Sequence, residues 1–572
     1  MFNTLPATAQ EFMDWNWAKI EPYYTDLLTR ELNTNTVAAW LADWSTLGKL
    51  IHECFTRLSI ATTLNTTDEA AVQRYHTYLQ QISEPAQTAE QRLKEKLLAS
   101  GLNPVGFELP LRNMRAEAAI FREANVPLST EENKLGTEYD RIIGAQTVQW
   151  AGEERTLTQM KPVLQSDDRA TREQAWRLIA ERRLRDRPAL NALWQKLLDL
   201  RRQQAANAGF ADYRTLRWQE WKRFDYTPED CEVFHAAIEQ VVVPAATRVY
   251  ERQRALLGVE TLRPWDLDRD DVYPPSRPPL YPFKTIDELV SKAENIFRQV
   301  DPELGEYFAI MRREKLLDLD NRKGKAPGGY QAALAVAKRP FIFMNAVGIH
   351  DDVQTLLHEG GHAFHLMETV HLPYMQQWHY SAEMAEVASM SMELLASPYL
   401  TEAHGGYYSE PDAAHARIHH LEHILLFWPY MAVVDAFQHW VYTHADAAAD
   451  PAQCDATWGS LWQRFIPGVD WSGMEDARVT GWHRKLHIFR IPFYYVDYGL
   501  AQIGALQVWR NAMSDQAGAV RQYRHALSLG GTRTIPEFFA AAGGKFSFDA
   551  ATMGELVDLI EQSIDRLHGA LA

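Results

Sequence analysis

Apolar residues recur every three or four positions over 12–32, 37–58, 70–98, 169–208, 413–439, 492–513 and 553–567. That spacing gives each stretch one apolar stripe and predicts an amphipathic helix. The helix at 169–208 should open on Ser166-Asp167-Asp168, an N-cap cluster, and stop near Gly209. Strand signals are few. Residues 147–150 and 154–157 flank Ala151-Gly152-Glu153 and predict a small hairpin. Residues 341–345, Phe-Ile-Phe-Met-Asn after Pro340, predict a short strand, and six prolines within 263–282 predict an extended surface connection. The expected fold class is mainly α. Two helical lobes, 1–175 with the hairpin and 176–572, would face each other across a cleft with a small β-sheet beside it.

Composition narrows the possibilities. The chain has 572 residues, 46% of them hydrophobic, enough for a large core. Lys and Arg total 58 against 75 Asp and Glu, a formal net charge of −17. An acidic chain without a long basic stretch is a poor nucleic-acid binder. The most basic run, Arg182 to Arg187, lies within a helical pattern and reads as a solvated face. Three distant cysteines, Cys54, Cys231 and Cys454, argue against a disulfide framework and against a cysteine zinc site. No apolar run approaches the ~20 residues of a membrane span, and the opening residues carry no leader pattern. The expected compartment is the cytoplasm.

The candidate chemistry lies at 351–368, which contains His358-Glu359-Gly360-Gly361-His362. Residues four apart share a helix face. Two imidazoles so placed suit one Zn²⁺ at ~2.0–2.1 Å each, and the intervening glutamate can take a proton from the water that the ion activates. Val353, Leu356 and Leu357 supply an apolar face, and Asp351-Asp352 suits a helix start. Gly360 and Gly361 each cost about 1 kcal/mol relative to alanine. Such a cost is accepted where a substrate or another backbone must come close.

A third protein ligand is required, leaving one position for water. The long histidine motif is excluded, because His365 and Glu368 occupy its glycine and third-histidine positions. Residues 381–395 offer Glu383, Glu386 and Glu393. Glu386 and Glu393, seven apart, share a face and suit a ligand with a supporting carboxylate. Glu383 competes, and periodicity does not decide. His419-His420-Leu421-Glu422-His423 matches the reversed motif but lies on an apolar helix without a paired strand or third ligand. It reads as core and surface histidines, and His365 and His371 read as structural or supporting.

A further aromatic segment runs from His487 to Tyr498. Pro492 suits a first helical position, which places Tyr498 on one face with Tyr494 and Tyr495.

Four stretches carry a family likeness. They are Arg322-Lys323-Gly324-Lys325-Ala326-Pro327-Gly328-Gly329-Tyr330, the metal helix itself, Glu386-Val387-Ala388-Ser389 with Glu393 following, and His487-Ile488-Phe489-Arg490-Ile491-Pro492-Phe493-Tyr494-Tyr495-Val496-Asp497-Tyr498. With Glu132 to Trp176 they make the chain resemble the oligoendopeptidase F branch of the thimet-oligopeptidase family of zinc metallopeptidases over nearly its whole length. The resemblance implies a deep cleft, one Zn²⁺ held by His358, His362 and Glu386, with Glu393 in support. It implies Glu359 as general base, with His487, Tyr495 and Tyr498 at the substrate carbonyl. Gly328, Gly329, Tyr330, Phe343, Asn345 and Tyr494 would line the substrate path, and the strand at 341–345 would hold the peptide by edge pairing. One departure is Gly360, where the family more often carries a bulky residue.

The implied activity is endopeptidase cleavage of oligopeptides. An exopeptidase with the same zinc helix would need a group that captures a free terminus. A non-catalytic peptide binder with a structural metal would need a fourth protein ligand, and would leave Glu359 without a purpose. Oligomeric state is not expressed in the sequence.

Overall fold

Caps and breakers set the helices largely where the pattern predicts. The computed structural model describes residues 1–267 and 280–571. Asp168 caps its helix by accepting from the Ala170 and Thr171 N–H groups. The predicted 169–208 helix is two, Arg169–Arg185 and Arg187–Ala208, because Pro188 lacks the N–H that would continue the ladder. Gly209 closes the second with a left-handed φ of 85°. The helices used below are α1 (Val37–Leu64), α2 (Val126–Gly144), α3 (Pro228–Ala237), α4 (His350–Thr369), α5 (Ala382–Ala396), α6 (Glu410–Thr443) and α7 (Tyr495–Ala512). Among the described residues none is long and apolar enough to cross a membrane.

The described strands make two sheets. Strands β1 (Thr147–Trp150) and β2 (Glu153–Thr156) form the expected hairpin, with Thr147 opposite Thr156. In the second sheet β5 (Arg339–Ala346) lies between β3 (Leu317–Asp320), parallel to it, and β4 (Tyr330–Leu334), antiparallel. The segment 341–345 is therefore a central strand. Both its edges are already paired, so it does not offer the open edge expected there; among the described residues β4 is paired on one side only.

Two apolar cores organise the chain. The smaller joins residues from Ala9 to Met114, with Trp40 and Trp44 of α1 at its centre; the larger runs from Leu135 to Ile564. A lobe boundary at 175 falls inside Arg169–Arg185, whose Ala175, Trp176 and Ile179 all belong to the larger core. The apolar clusters divide the chain between 114 and 135 instead. Within the proline-rich stretch, Pro264–Asp266 is a short turn whose buried Asp266 pairs with Arg169 and Arg172; residues 268–279 lie outside the described residues.

Helix α4 begins under the control of Asp352, whose carboxylate accepts from the N–H groups of Val347, Gly348 and Ile349 at 2.7–3.0 Å. Both helix glycines have a packing reason. A Cβ on Gly361 would stand 2.5 Å from the Ala388 carbonyl oxygen and the Ser389 Cα, so α4 and α5 touch backbone to backbone. A Cβ on Gly360 would meet the Phe297 ring at 2.5 Å, so that aromatic fills the space a bulkier residue would take.

Candidate active site

A cavity of about 890 Å³ lies between the N-terminal helices and the α4–α5–α7 layer. Thr63 of α1 and Asn133, Gly136 and Asp140 of α2 line one side; His358, Glu359, His362, Glu386, His487, Tyr494 and Tyr498 line the other. Asp140 pairs with Arg490, which ties the two walls together.

One turn of α4 and the middle of α5 bring three donors to a point. Glu386 Oε2 lies 3.2 Å from His358 Nε2 and 3.5 Å from His362 Nε2. Two ligands bound tetrahedrally at ~2.0–2.1 Å stand roughly 3.3 Å apart, so these three side chains fit one ion. Their outer atoms are occupied. His358 Nδ1 donates to Glu393 Oε1 (2.7 Å), and His420 Nε2 meets Glu393 Oε2 (2.9 Å). Tyr494 donates its hydroxyl to Glu386 Oε1 (2.5 Å), and Ser389 Oγ donates to Oε2 (3.1 Å). Such outer partners orient ligands and fix the imidazole tautomer.

The electrostatics ask for a cation. Burial alone would lower the His358 pKa, yet Glu386 and Glu393 hold it well above the imidazole range. Burial pushes His362 down to about 4, Glu386 opposing and His358 adding, so its ring stays neutral. Donor types, spacing and charge all fit zinc.

Glu359 is buried beside this group, and its Oε2 has no hydrogen-bond partner. Burial pushes its carboxyl up to about 8, with His358 opposing and the Glu386 and Glu393 charges adding. Gly329 lies over it: a Cβ there would stand 3.4 Å from Glu359 Oε1. Across the cavity, His487 Nε2 and the Tyr498 hydroxyl are 3.2 Å apart, and His487 Nδ1 is buried without a partner.

Other expected residues are placed less directly. Gly328, Gly329 and Tyr330 line the cavity; Gly328 has a φ of 90°, and Tyr330 bonds to Thr63 Oγ1 at 2.5 Å. Phe343 is fully buried with its ring stacked on Tyr330 at 4.7 Å. Asn345 holds the glycine loop, donating to the carbonyls of Ala326 (3.0 Å) and Gly328 (2.8 Å). Phe343 and Asn345 therefore support the lining without belonging to it. Tyr495 is also outside the lining; its ring packs 4.9 Å from that of His487 but its hydroxyl accepts from Lys485 Nζ at 2.9 Å, so it is the Tyr498 hydroxyl that meets the His487 Nε2. Helix α7 begins at Tyr495 and not at Pro492, because Phe493 takes a left-handed φ of 65°. The Phe493 N–H donates to Gln438 at 2.8 Å and its carbonyl accepts from Arg223 at 2.6 Å, and these bonds fix that turn. Glu383 takes part elsewhere, accepting from Tyr226 at 2.5 Å.

This arrangement belongs with known proteins. The model of peptidase family M3 matches residues 163–557. The chain belongs to peptidase family M3. Among curated relatives it is 27% identical over 285 residues to the oligopeptidase PepF of Bacillus subtilis, covering 46% of this chain and 41% of that one. It is 22% identical over 317 residues to an oligoendopeptidase F homolog of Borreliella burgdorferi, covering 53% and 50%. The matches thus span about half the length of those relatives. A solved structure of PZ peptidase A with inhibitor 2 superposes with a TM-score of 0.91 at 27% identity, covering 99% of each chain. Oligoendopeptidase-F from Enterococcus faecium, 15% identical with a TM-score of 0.64 over 98% of this chain and 99% of that one, shares the fold. The expected likeness to oligoendopeptidase F and the mainly α fold are both borne out. For this family M3 chain, sequence reasoning missed His420, Thr63 and the Asp140–Arg490 pair. Only His420 left a signal, inside the reversed motif that reads as incidental.

Proposed function

We propose that this chain is a zinc-dependent endopeptidase that hydrolyses oligopeptides in the cytoplasm, with one ion held by His358, His362 and Glu386. The observation that carries the reading is a buried carboxylate, Glu359, with its Oε2 free of any hydrogen-bond partner, beside a convergent His-His-Glu group on the wall of a large cavity. When bound, the ion supplies Lewis acidity towards water and the scissile carbonyl.

The chain's own groups do the rest. Glu359 takes the attacking water's proton and passes it to the leaving amine. Tyr498 and His487 face the carbonyl oxygen as charge develops on it. Tyr494 and Ser389 hold Glu386, and Glu393 with His420 holds His358. The open edge of β4 extends the substrate backbone beside Glu359. Walls from both ends of the chain, tied by Asp140 and Arg490, admit a flexible peptide and exclude a folded domain. Three buried free thiols suit a reducing compartment.

The test is mass-spectrometric mapping of cuts in a mixed peptide pool, with and without chelator, for the wild type and Glu359→Gln. Internal cuts that vanish with chelator are expected, as is a loss of about 10²–10⁴-fold in the variant with its zinc retained. Near-normal turnover by Glu359→Gln would end the assignment of the base.

A further inference from the structure

Arg484 and Lys485 stand in the cavity wall three and two residues before His487. Most charges on that wall are cancelled in place: Glu132 by Arg201, Asp140 by Arg490, Glu220 by Arg217. These two cations are not. The Lys485 ammonium donates to the Tyr495 hydroxyl at 2.9 Å and lies 4.0 Å from the Tyr495 ring centre and 5.0 Å from that of Tyr430. Among the described residues no carboxylate lies within ion-pair distance of it. Arg484 is exposed, with no hydrogen bond or ion pair among those residues.

A half-buried ammonium faced only by a phenol and aromatic rings is under-satisfied, since rings replace part of its hydration but not a counter-charge. Burial, with the Arg484 charge adding, pushes the Lys485 pKa down to about 7. A carboxylate arriving from the cavity would supply what is missing, and the lysine and the guanidinium fork offer it several donors at once.

We propose that Lys485 and Arg484 form an anchor for a carboxylate of the peptide substrate. The inference rests on the peptidase reading and deepens it. The carboxylate has two sources, the free C-terminus or an acidic side chain. Because the anchor adjoins His487 in sequence, it lies beside the groups that face the scissile carbonyl. A terminal source would place the cut at a constant short distance from the end of the peptide.

The experiment uses full-length, metal-loaded Glu359→Gln, which reads binding without turnover. Dissociation constants are measured by fluorescence anisotropy for one N-terminally labelled peptide as the free acid, as the C-terminal amide, and as amides carrying Glu or Gln near the cut. The expected result is at least ten-fold tighter binding of a carboxylate-bearing peptide, falling to within three-fold when Lys485→Gln or Arg484→Ala is added. Arg484 is exposed, so its replacement carries no risk to folding. Preference for the free acid assigns the anchor to the terminus; preference for Glu over Gln in blocked peptides assigns it to a side chain. Equal binding of all peptides, or a preference that survives both replacements, overturns the proposal. Wild-type cleavage of every peptide in the series is scored in parallel. Its absence for all of them, the free acid included, would strike the peptidase reading, whatever the binding series shows.

Discussion

Two groups of potential metal ligands occur among the described residues, and only one has the open, unmet arrangement that an ion site requires. His358, His362 and Glu386 face the cavity; Cys231, Asp435 and His439, between α3 and α6, are sealed in the core. In the first group the bonds from Glu393 and Tyr494 lie on the outer side, and the inner atoms face one another, with Ser389 Oγ alone also donating to the inner Glu386 Oε2. In the second the Asp435 charge already sits between two imidazoles, although its Oδ1 has no hydrogen-bond partner. Asp435 Oδ2 lies 2.9 Å from His235 Nε2 and 3.3 Å from His439 Nε2, and Arg214 stands 3.2 Å from His439 Nδ1. Burial also raises the Cys231 thiol well above its ordinary range, which withholds the thiolate a metal needs. Proximity of ligating residues is thus not sufficient. A metal centre also needs an unmet demand for positive charge and a path to it.

The comparison can be broken in graded steps. Glu386→Ala should lose the zinc and essentially all activity, while Glu383→Ala keeps the metal; zinc content by atomic absorption decides, and the opposite pattern would exchange their roles. The wild type should hold one zinc per chain, not two, and Cys231→Ser should leave that number unchanged. Tyr498→Phe should lower kcat by about 10²–10³-fold, as for loss of one oxyanion donor. Tyr495→Phe should lower it far less, and equal losses would return Tyr495 to the carbonyl. Removing the outer support by Glu393→Gln should weaken zinc affinity by about 10–100-fold in a competitive chelator titration. Asp435→Asn should be the mildest, costing about 1–3 kcal/mol of stability through the stranded imidazoles without changing metal content; zinc loss there would show the sealed cluster to be a second site.

The features legible in the sequence were those set by local spacing. The His358–His362 pair and most helices follow from 3.6-residue periodicity, whereas the choice of Glu386 over Glu383 came only from the family resemblance. What the pattern did not carry depends on distant partners. The start of α7 is decided by Gln438 and Arg223, which hold Phe493 in a conformation that no local propensity favours. The central place of β5 depends on β3 joining its far side, and a strand's own sequence does not state how many neighbours it has. His420 looked incidental because its partner, Glu393, lies 27 residues earlier on another helix. The membership of Ala175 and Trp176 in the larger core was hidden for the same reason: they have an ordinary helical pattern, and only the packed structure shows what they touch.

The missing side chain at Gly361 has a consequence beyond packing. Its contact with Ala388 and Ser389 calibrates the gap across which Glu386 reaches the two imidazoles. A single methyl group there would force the two backbones apart and detune coordination while leaving every ligand intact. Attempts to re-engineer which ion this scaffold prefers should therefore begin with that spacer and its neighbours before altering the donors themselves.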